Sequence, residues 1–317
     1  LHFGKEYFIP KPVDTRLIVR VSMAVAKAAM ESGVARKPIT DWDAYEESLM
    51  DRIGRMTHLT RRLHDAAKLR LRKIVYAAGE NVNVLKAAAE VVHQNLAIPV
   101  LLGTPAHIQK LAKDNEISLD GIEIISPRSP EYRGKRLQYA EQYTKQNWRK
   151  GGVLNEALDR MFDANYYGMM MVQCGDADGL ITGLYSNYHY LSQVARSTVG
   201  IEKGHNYFAT MHLVVLKSGP LFLVDTLINQ NLKADTLVDI SVLAAEKVRC
   251  FGIKPHVALI NFSDFGSDDA DSSQEARKAV SILHRDYPYL SVDGEMQINT
   301  ALNTKLRDQR YPDNKLQ

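Results

Sequence analysis

Between residues 73 and 125 short apolar runs alternate with stretches of helical periodicity, and that alternation admits few folds. Lys73-Ile-Val-Tyr-Ala-Ala78 reads as a strand that stops at Gly79. Val84, Leu85, Ala88, Val91 and Val92 share one face of a helix expected over 82–95. Ala97-Ile-Pro-Val-Leu-Leu102 is a second strand, broken by Gly103; a helix follows over about 105–113, and Glu123-Ile-Ile125 is a third strand. Strands joined by single helices build right-handed βαβ units and a parallel sheet, because each helix must pack back onto the sheet it leaves.

The pattern restarts near residue 166. Gly168-Met-Met-Met-Val-Gln-Cys174 is continuously apolar, as expected of a strand covered on both faces. Two apolar runs, over 212–216 and 220–224, flank Lys217-Ser-Gly219 and predict a hairpin. A helix is expected over 235–251, a strand over 257–260 and a helix over 272–284. These elements predict an α/β fold of two domains, 46–165 and 166–317, with parallel or mixed sheets and flanking helices. Residues 1–45 differ. Tyr7-Phe-Ile-Pro10-Lys-Pro12 is extended by its prolines. Asp14 is placed to cap a helix over 16–32 whose stripe of Leu17, Val21, Ala24, Val25 and Ala28 must dock on another domain or subunit. A second helix opens at Asp41 or Asp43.

Bulk properties narrow the function by exclusion. A net charge of +3 over 317 residues gives no argument for nucleic acid, and no Lys/Arg tract is interleaved with aromatics. The basic cluster from Arg61 to Lys73 reads as the solvated side of a helix leading into a strand. Two isolated cysteines, Cys174 and Cys250, fit a reducing compartment. No apolar run reaches the roughly 18 residues of a membrane span, and no signal peptide opens the chain, so a cytoplasmic location without a membrane partner is expected. The chain starts without methionine and ends in a polar turn, and is read as a fragment.

Three motifs carry candidate chemistry. In Asp178-Gly-Leu-Ile-Thr-Gly183-Leu-Tyr-Ser186-Asn187-Tyr188 the glycines admit close backbone approach, and Ser186, Asn187 and Tyr188 offer neutral donors. The same residues also suit a plain strand-to-helix connection. Ser263-Asp264-Phe-Gly-Ser267-Asp268-Asp269-Ala-Asp271 precedes a helix; its carboxylates suit capping and dipole compensation, or less specifically a divalent cation. Asp293-Gly-Glu295 places two carboxylates two residues apart. They form an acid/base pair if the strand continues through Gly294, and exposed turn carboxylates if it does not. The ten histidines show no metal-ligand spacing.

In order and spacing, three blocks resemble phosphate acetyltransferases: the Asp178–Gly183 turn, Phe251-Gly-Ile-Lys-Pro-His-Val-Ala-Leu259 with Ser263 and Gly266-Ser267, and Asp293-Gly-Glu-Met-Gln297. The resemblance covers roughly residues 70–317. Tyr7-Phe-Ile-Pro-Lys-Pro-Val-Asp-Thr-Arg-Leu-Ile18 and Ala24-Val-Ala-Lys-Ala-Ala-Met-Glu-Ser-Gly-Val34 are similar to the junction of hybrid bacterial NADP-dependent malic enzymes, where a malic enzyme domain precedes a phosphate-acetyltransferase-like domain. The resemblance implies an isocitrate dehydrogenase-like architecture. It implies that NADP and a divalent Mg or Mn serve a preceding domain that decarboxylates malate to pyruvate, while this segment holds no cofactor. It further implies acetyl-CoA as an effector, the chain's own malic enzyme domain as partner, and homo-oligomers built from dimers of this domain.

The departures point away from turnover. Transferases carry an arginine after the glycine turn that helps hold acyl phosphate. Here Gln193-Val194 stands in that place, with Arg196 three residues on. Their glycine-serine loop carries a lysine, whereas Ser267 is followed by Asp268-Asp269. Their C-terminal Asp-Leu-Ser-Arg-Gly segment is not in this chain. The expected ligand set is therefore Gly183, Ser186, Asn187, Tyr188, Arg196, Ser263 and Ser267, with no catalytic residue and no metal ligand.

Overall fold

The computed structural model describes residues 16–53, 55–216, 219–226 and 228–316. Three helices come first, α1 (Arg16–Glu31), α2 (Trp42–Ile53) and α3 (Arg55–Leu69). The extended segment expected over 7–12 and the cap at Asp14 lie outside the described residues. Asp41 Oδ1 accepts from the Ala44 amide at 2.9 Å and so caps α2. On α1 the expected stripe is only partly covered. Leu17 is half-buried, while Val21 and Val25 are 52% and 63% exposed; the buried Val19 lies off the stripe.

The next elements are β1 (Lys73–Tyr76), α4 (Val82–His93), β2 (Ile98–Leu102), α5 (Pro105–Asp114), β3 (Glu123–Ile125), α6 (Arg133–Asn147), α7 (Leu154–Arg160), α8 (Ala164–Gln173), β4 (Gly179–Ile181) and α9 (Tyr188–Thr198). The four strands form one parallel sheet in the order β3-β2-β1-β4, with Val75 opposite both Val100 and Leu180. Successive side chains point to opposite faces, and both faces are covered. Val75, Val100, Leu102 and Ile125 pack beneath Tyr139, Met161, Tyr167 and Met170. Tyr76 and Leu101 pack against Leu85, Ala88, Ile108 and Ala112.

One element differs from expectation. The run from Gly168 to Cys174 belongs to helix α8, not to a strand. Asp163 Oδ1 accepts from the amides of Asn165 and Tyr166, capping the helix. The buried Tyr167, Met170 and Met171 then fall at helical spacing. A short apolar run has no periodicity that separates a strand from a buried helix. Unbranched Met and Gln favour the helix once a cap is present. Gly168 lets α8 lie close on the sheet, since a Cβ there would stand 2.7 Å from Leu180 Cδ1. The sheet's fourth strand is instead the three-residue β4. The boundary expected at 165 therefore falls inside α8, and β4, from beyond it, pairs with β1.

The remaining elements are β5 (Met211–Leu216), β6 (Gly219–Val224), α10 (Ala234–Cys250), β7 (His256–Ile260), α11 (Asp271–Asp286), β8 (Ser291–Met296), α12 (Ile298–Leu302) and α13 (Thr304–Arg310). Strands β5 and β6 pair antiparallel as expected, with Met211 opposite Val224, although residues 217–218 of the turn are not described. Strands β7 and β8 pair parallel. Their core of Leu259 and Val292 is closed by Ala279 and Leu283 of α11 and by Val242 and Ala245 of α10.

Two outcomes follow from the layer of α6 and α8. Gly168→Val should cost about 2 kcal/mol in urea unfolding, because its methyl groups have no space between Leu180, Leu102 and Val75. Burial also raises the phenols of Tyr139 and Tyr167, the latter to about 12. A raised phenol contributes stability that is whole below its ordinary value of 10.0 and is lost as pH climbs through about 12. Tyrosinate absorbance should therefore rise in two steps, the later one coinciding with unfolding of this layer. A single step near the ordinary value would contradict the packing.

Candidate functional site

Ligands of open parallel sheets bind beyond the carboxyl ends of the strands. At that end of β4 the chain passes through Thr182 and Gly183, which has φ +120°, a region that favours glycine. The turn is wired to its neighbours by neutral groups. Thr182 Oγ1 donates to Asn165 Oδ1, and Asn165 Nδ2 reaches Ser186 Oγ at 3.4 Å. Asn81, the N-cap of α4, donates Nδ2 to Tyr185 Oη at 2.7 Å. Asn187 is the N-cap of α9, its Oδ1 accepting from the Tyr190 amide at 2.8 Å. Tyr188 is 41% exposed at the first helical position. No hydrogen bond or ion pair brings a Lys or Arg to residues 182–188 among the described residues.

Asp178, which opens the motif, faces the other end of the sheet. Its Oδ1 accepts from Arg72 Nη1 at 2.6 Å, and its Oδ2 accepts from the Lys73 amide at 2.9 Å. The Lys73 amide and then Arg72 hold this carboxyl below its ordinary value. Asp178 thus fastens the start of β4 to the start of β1 and is no part of the turn's chemistry. Arg72, read from sequence as a solvated charge, is half of that clasp.

The second group is built on β7, β8 and α11, around Glu295. The Glu295 carboxylate is fully buried. Its Oε1 accepts from Gly266 N at 2.8 Å, Arg277 Nη1 at 2.9 Å and Ser263 Oγ at 3.1 Å. Ser263 is buried and also pairs with Ser273 Oγ at 2.8 Å. Ser267 Oγ accepts from the Asp264 amide at 3.0 Å, and Asp264 in turn accepts from the main-chain and side-chain nitrogens of Gln297. Arg277 also reaches Asp269 Oδ1 at 3.0 Å and donates to the Asp268 carbonyl.

Two sequence expectations change here. Strand β8 runs through Gly294, and Asp293 and Glu295 are both buried, so they are not exposed turn carboxylates. Nor do they act together. Asp293 accepts from the amides of Gly294 and Lys315, while Glu295 holds the 263–267 loop. The capping expected of the acidic run is only partly seen: Asp268 Oδ1 caps the Ala270 amide at 2.7 Å, and Asp271 lies in the first turn of α11. Arg277 was the functional side chain missed from sequence. The run of Asp268, Asp269 and Asp271 signals a need for a cation, but nothing in the pattern selects the one two turns along α11.

The expected ligand residues therefore fall into separate sets. Gly183, Ser186, Asn187 and Tyr188 form the neutral turn. Ser263 and Ser267 belong to the Glu295 network. Arg196 joins neither; it lies near the end of α9, its guanidinium carbon 5.4 Å from the Phe208 ring centroid. Nine residues of helix put it about 13 Å along the axis from Asn187. No hydrogen bond joins the sets among the described residues. Nor, among those residues, do three or more His, Cys, Asp or Glu come together to hold a metal ion.

A parallel α/β sheet with a glycine turn at its carboxyl edge, followed by a second strand pair carrying a buried Asp-Gly-Glu, defines the class. The family profile described as "Phosphate acetyl/butaryl transferase" matches residues 58–317, and the chain belongs to that family. Within it, the chain is 38% identical to an NADP-dependent malic enzyme of Escherichia coli (strain K12), over all of this chain and 42% of that protein. It is 34% identical to an NAD-dependent malic enzyme of Rhizobium meliloti (strain 1021), over 99% of this chain and 41% of that one. The chain thus spans about two fifths of the length of these relatives. It is also 30% identical to a phosphate acetyltransferase of Synechocystis sp., over 79% of this chain and 36% of the relative. Among solved structures it is similar to the EutD phosphotransacetylase from Staphylococcus aureus, with a TM-score of 0.72 and 26% identity over 83% of this chain and 79% of that one.

Glu295→Gln tests the network directly. Its amide oxygen can still accept from Ser263 and Gly266, but the negative charge that compensates the partly buried Arg277 is lost, so stability should fall by about 3 kcal/mol in chemical unfolding. A change near zero would show that the 263–267 loop is held by other contacts.

Proposed function

We propose that this chain is the acetyl-CoA-sensing, oligomerising segment of a cytoplasmic malic enzyme, without transferase turnover of its own. The malic enzyme domain of the same polypeptide would be its partner, using NADP and Mg or Mn to oxidise and decarboxylate malate. The similarity to malic enzymes over the whole chain supports the first half of this reading.

The observation that carries the second half is the neutrality of the 182–188 turn. Acyl phosphate is anionic, and its transfer requires fixed positive charge aimed at the phosphoryl oxygens in a partly dry site. Ser186 and Thr182 are paired instead with an amide from Asn165. On the second group, the Arg277 guanidinium is bound to Glu295 and Asp269, so its charge is cancelled where it stands. A backbone turn with neutral donors suits the uncharged acyl and amide portions of a thioester carrier. Binding there would regulate the neighbouring domain if the two conformations of the polypeptide differ in affinity for the ligand. The half-covered face of α1 is where such a difference would be transmitted.

A second reading, an active phosphate acetyltransferase, is favoured by the similarity to the Synechocystis relative and by the survival of Arg196 on α9. Two measurements separate the readings. Acetyl-CoA at about a hundredfold excess over Kd should stabilise the intact chain by about 2.7 kcal/mol and raise its Tm accordingly. Mixed with acetyl-CoA and inorganic phosphate, the chain should release no coenzyme A above background. Absence of a Tm shift at millimolar acetyl-CoA sinks the sensing reading, and robust release establishes the transferase.

A further inference from the structure

We infer that the cavity walled by β6, one face of β7, α12 and α13 is a binding site for an aliphatic monocarboxylate, an apolar tail ending in a single anionic head. The site shares no residue with the Ser186 turn and is independent of the reading given to that turn. Side chains alternate along β7. Val257 and Leu259 pack into the core with α10 and α11, so Ala258 and Ile260 face the other way, into the cavity. Strand β6 closes one side and α12 another.

The cavity measures about 770 Å³, within the roughly 300–1,000 Å³ of sites that take small organic molecules. Most of its lining residues are apolar, yet Ile260, Ile298 and Leu302 are each about half exposed. Large apolar side chains left wet around one concavity mark a place where apolar surface is covered by a ligand.

The head group is selected by Arg307. This arginine is on the cavity wall, and its side chain is only 6% exposed. A buried charge is ordinarily matched by an opposite charge. Arg307 instead donates to neutral acceptors: Nε to Asn314 Oδ1 at 3.0 Å, Nη1 to the Ala301 carbonyl at 3.0 Å and Nη2 to the Leu316 carbonyl at 2.8 Å. The one carboxylate paired with it among the described residues is Asp308, 3.7 Å from Nε. Asp308 is more than half exposed and also accepts from Asn314 Nδ2, so it compensates the guanidinium only weakly.

These contacts fix the guanidinium, and one hydrogen on each Nη remains unspent among the described residues. Hydrogens on the two terminal nitrogens suit the two oxygens of a carboxylate. The charge balance sets the valence. One guanidinium with an acidic neighbour can offset a single negative charge, and a dianion would leave charge unpaired among apolar side chains.

Calorimetry on the intact chain with octanoate tests the site. Octanoate should bind about tenfold more tightly than hexanoate, because two fewer methylenes are buried. It should bind at least tenfold more tightly than octanol, which lacks the charge. Arg307→Gln should weaken octanoate about tenfold and leave the weaker binding of octanol unchanged. Asp308→Asn should tighten octanoate, a gain that no merely structural role would give. Arg307 also holds the Ala301 and Leu316 carbonyls, so a second variant covers a failure of Arg307→Gln to fold. Ala258→Phe fills the cavity from β7, leaves the Arg307 contacts in place and should abolish binding. No binding of octanoate, equal binding of octanoate and octanol, or binding indifferent to Ala258→Phe overturns the inference. So does self-association of the chain that Ala258→Phe abolishes, since a second copy would then fill the cavity.

Discussion

Four short parallel strands buried on both faces set the rest of this structure. A parallel sheet cannot leave a face to water, so the chain must supply one helical layer for Val75, Val100 and Leu102 and another for Tyr76 and Leu101. The second layer comes from the crossover helices α4 and α5. The first requires α6, α7 and α8, and this demand converts the apolar run after Gly168 into a helix. Once α8 is committed, the chain can return to the sheet only as the three-residue β4. The clasp of Asp178 on Arg72 and the Lys73 amide fixes where it enters. The turn over 182–188 then emerges at the carboxyl edge, where such sheets take their ligands.

Charge is distributed in three distinct ways. The turn itself is neutral, held by amide and hydroxyl groups. The loop over 263–267 has a guanidinium beside it but spends it internally, because a buried Glu295 carboxylate must be compensated. Arg160 at the end of α7 and Arg196 on α9, neither with a carboxylate partner among the described residues, are steadied by aromatic rings.

The second strand pair shows the same economy of satisfied groups. Glu295 reaches the Gly266 amide, Ser263 and Arg277 through a single oxygen, while its Oε2 has no hydrogen-bond partner among the described residues. Asp264 is tied to Gln297, which fastens the loop after β7 to the end of β8. Ser263 and Ser267, expected as ligand residues, are for this reason part of the loop's frame.

Much of the fold was legible in the sequence because its signals are local. The β1-α4-β2-α5-β3 succession, the hairpin partners and helices α10 and α11 each rest on periodicity within a dozen or so residues. The glycine turn, the serine loop and the Asp-Gly-Glu block were also legible, as motifs. What these residues do was decided by tertiary structure. Whether an apolar run becomes a strand or a helix depends on which face still needs covering. Whether a carboxylate is exposed or buried depends on whether its strand continues past a glycine. Whether a cation serves a site depends on partners that the chain brings from far away, as Arg277 is brought to Glu295. Periodicity fixes elements because side-chain spacing is short-range. Electrostatic roles belong to the folded state, because charges are compensated across space and not along the chain.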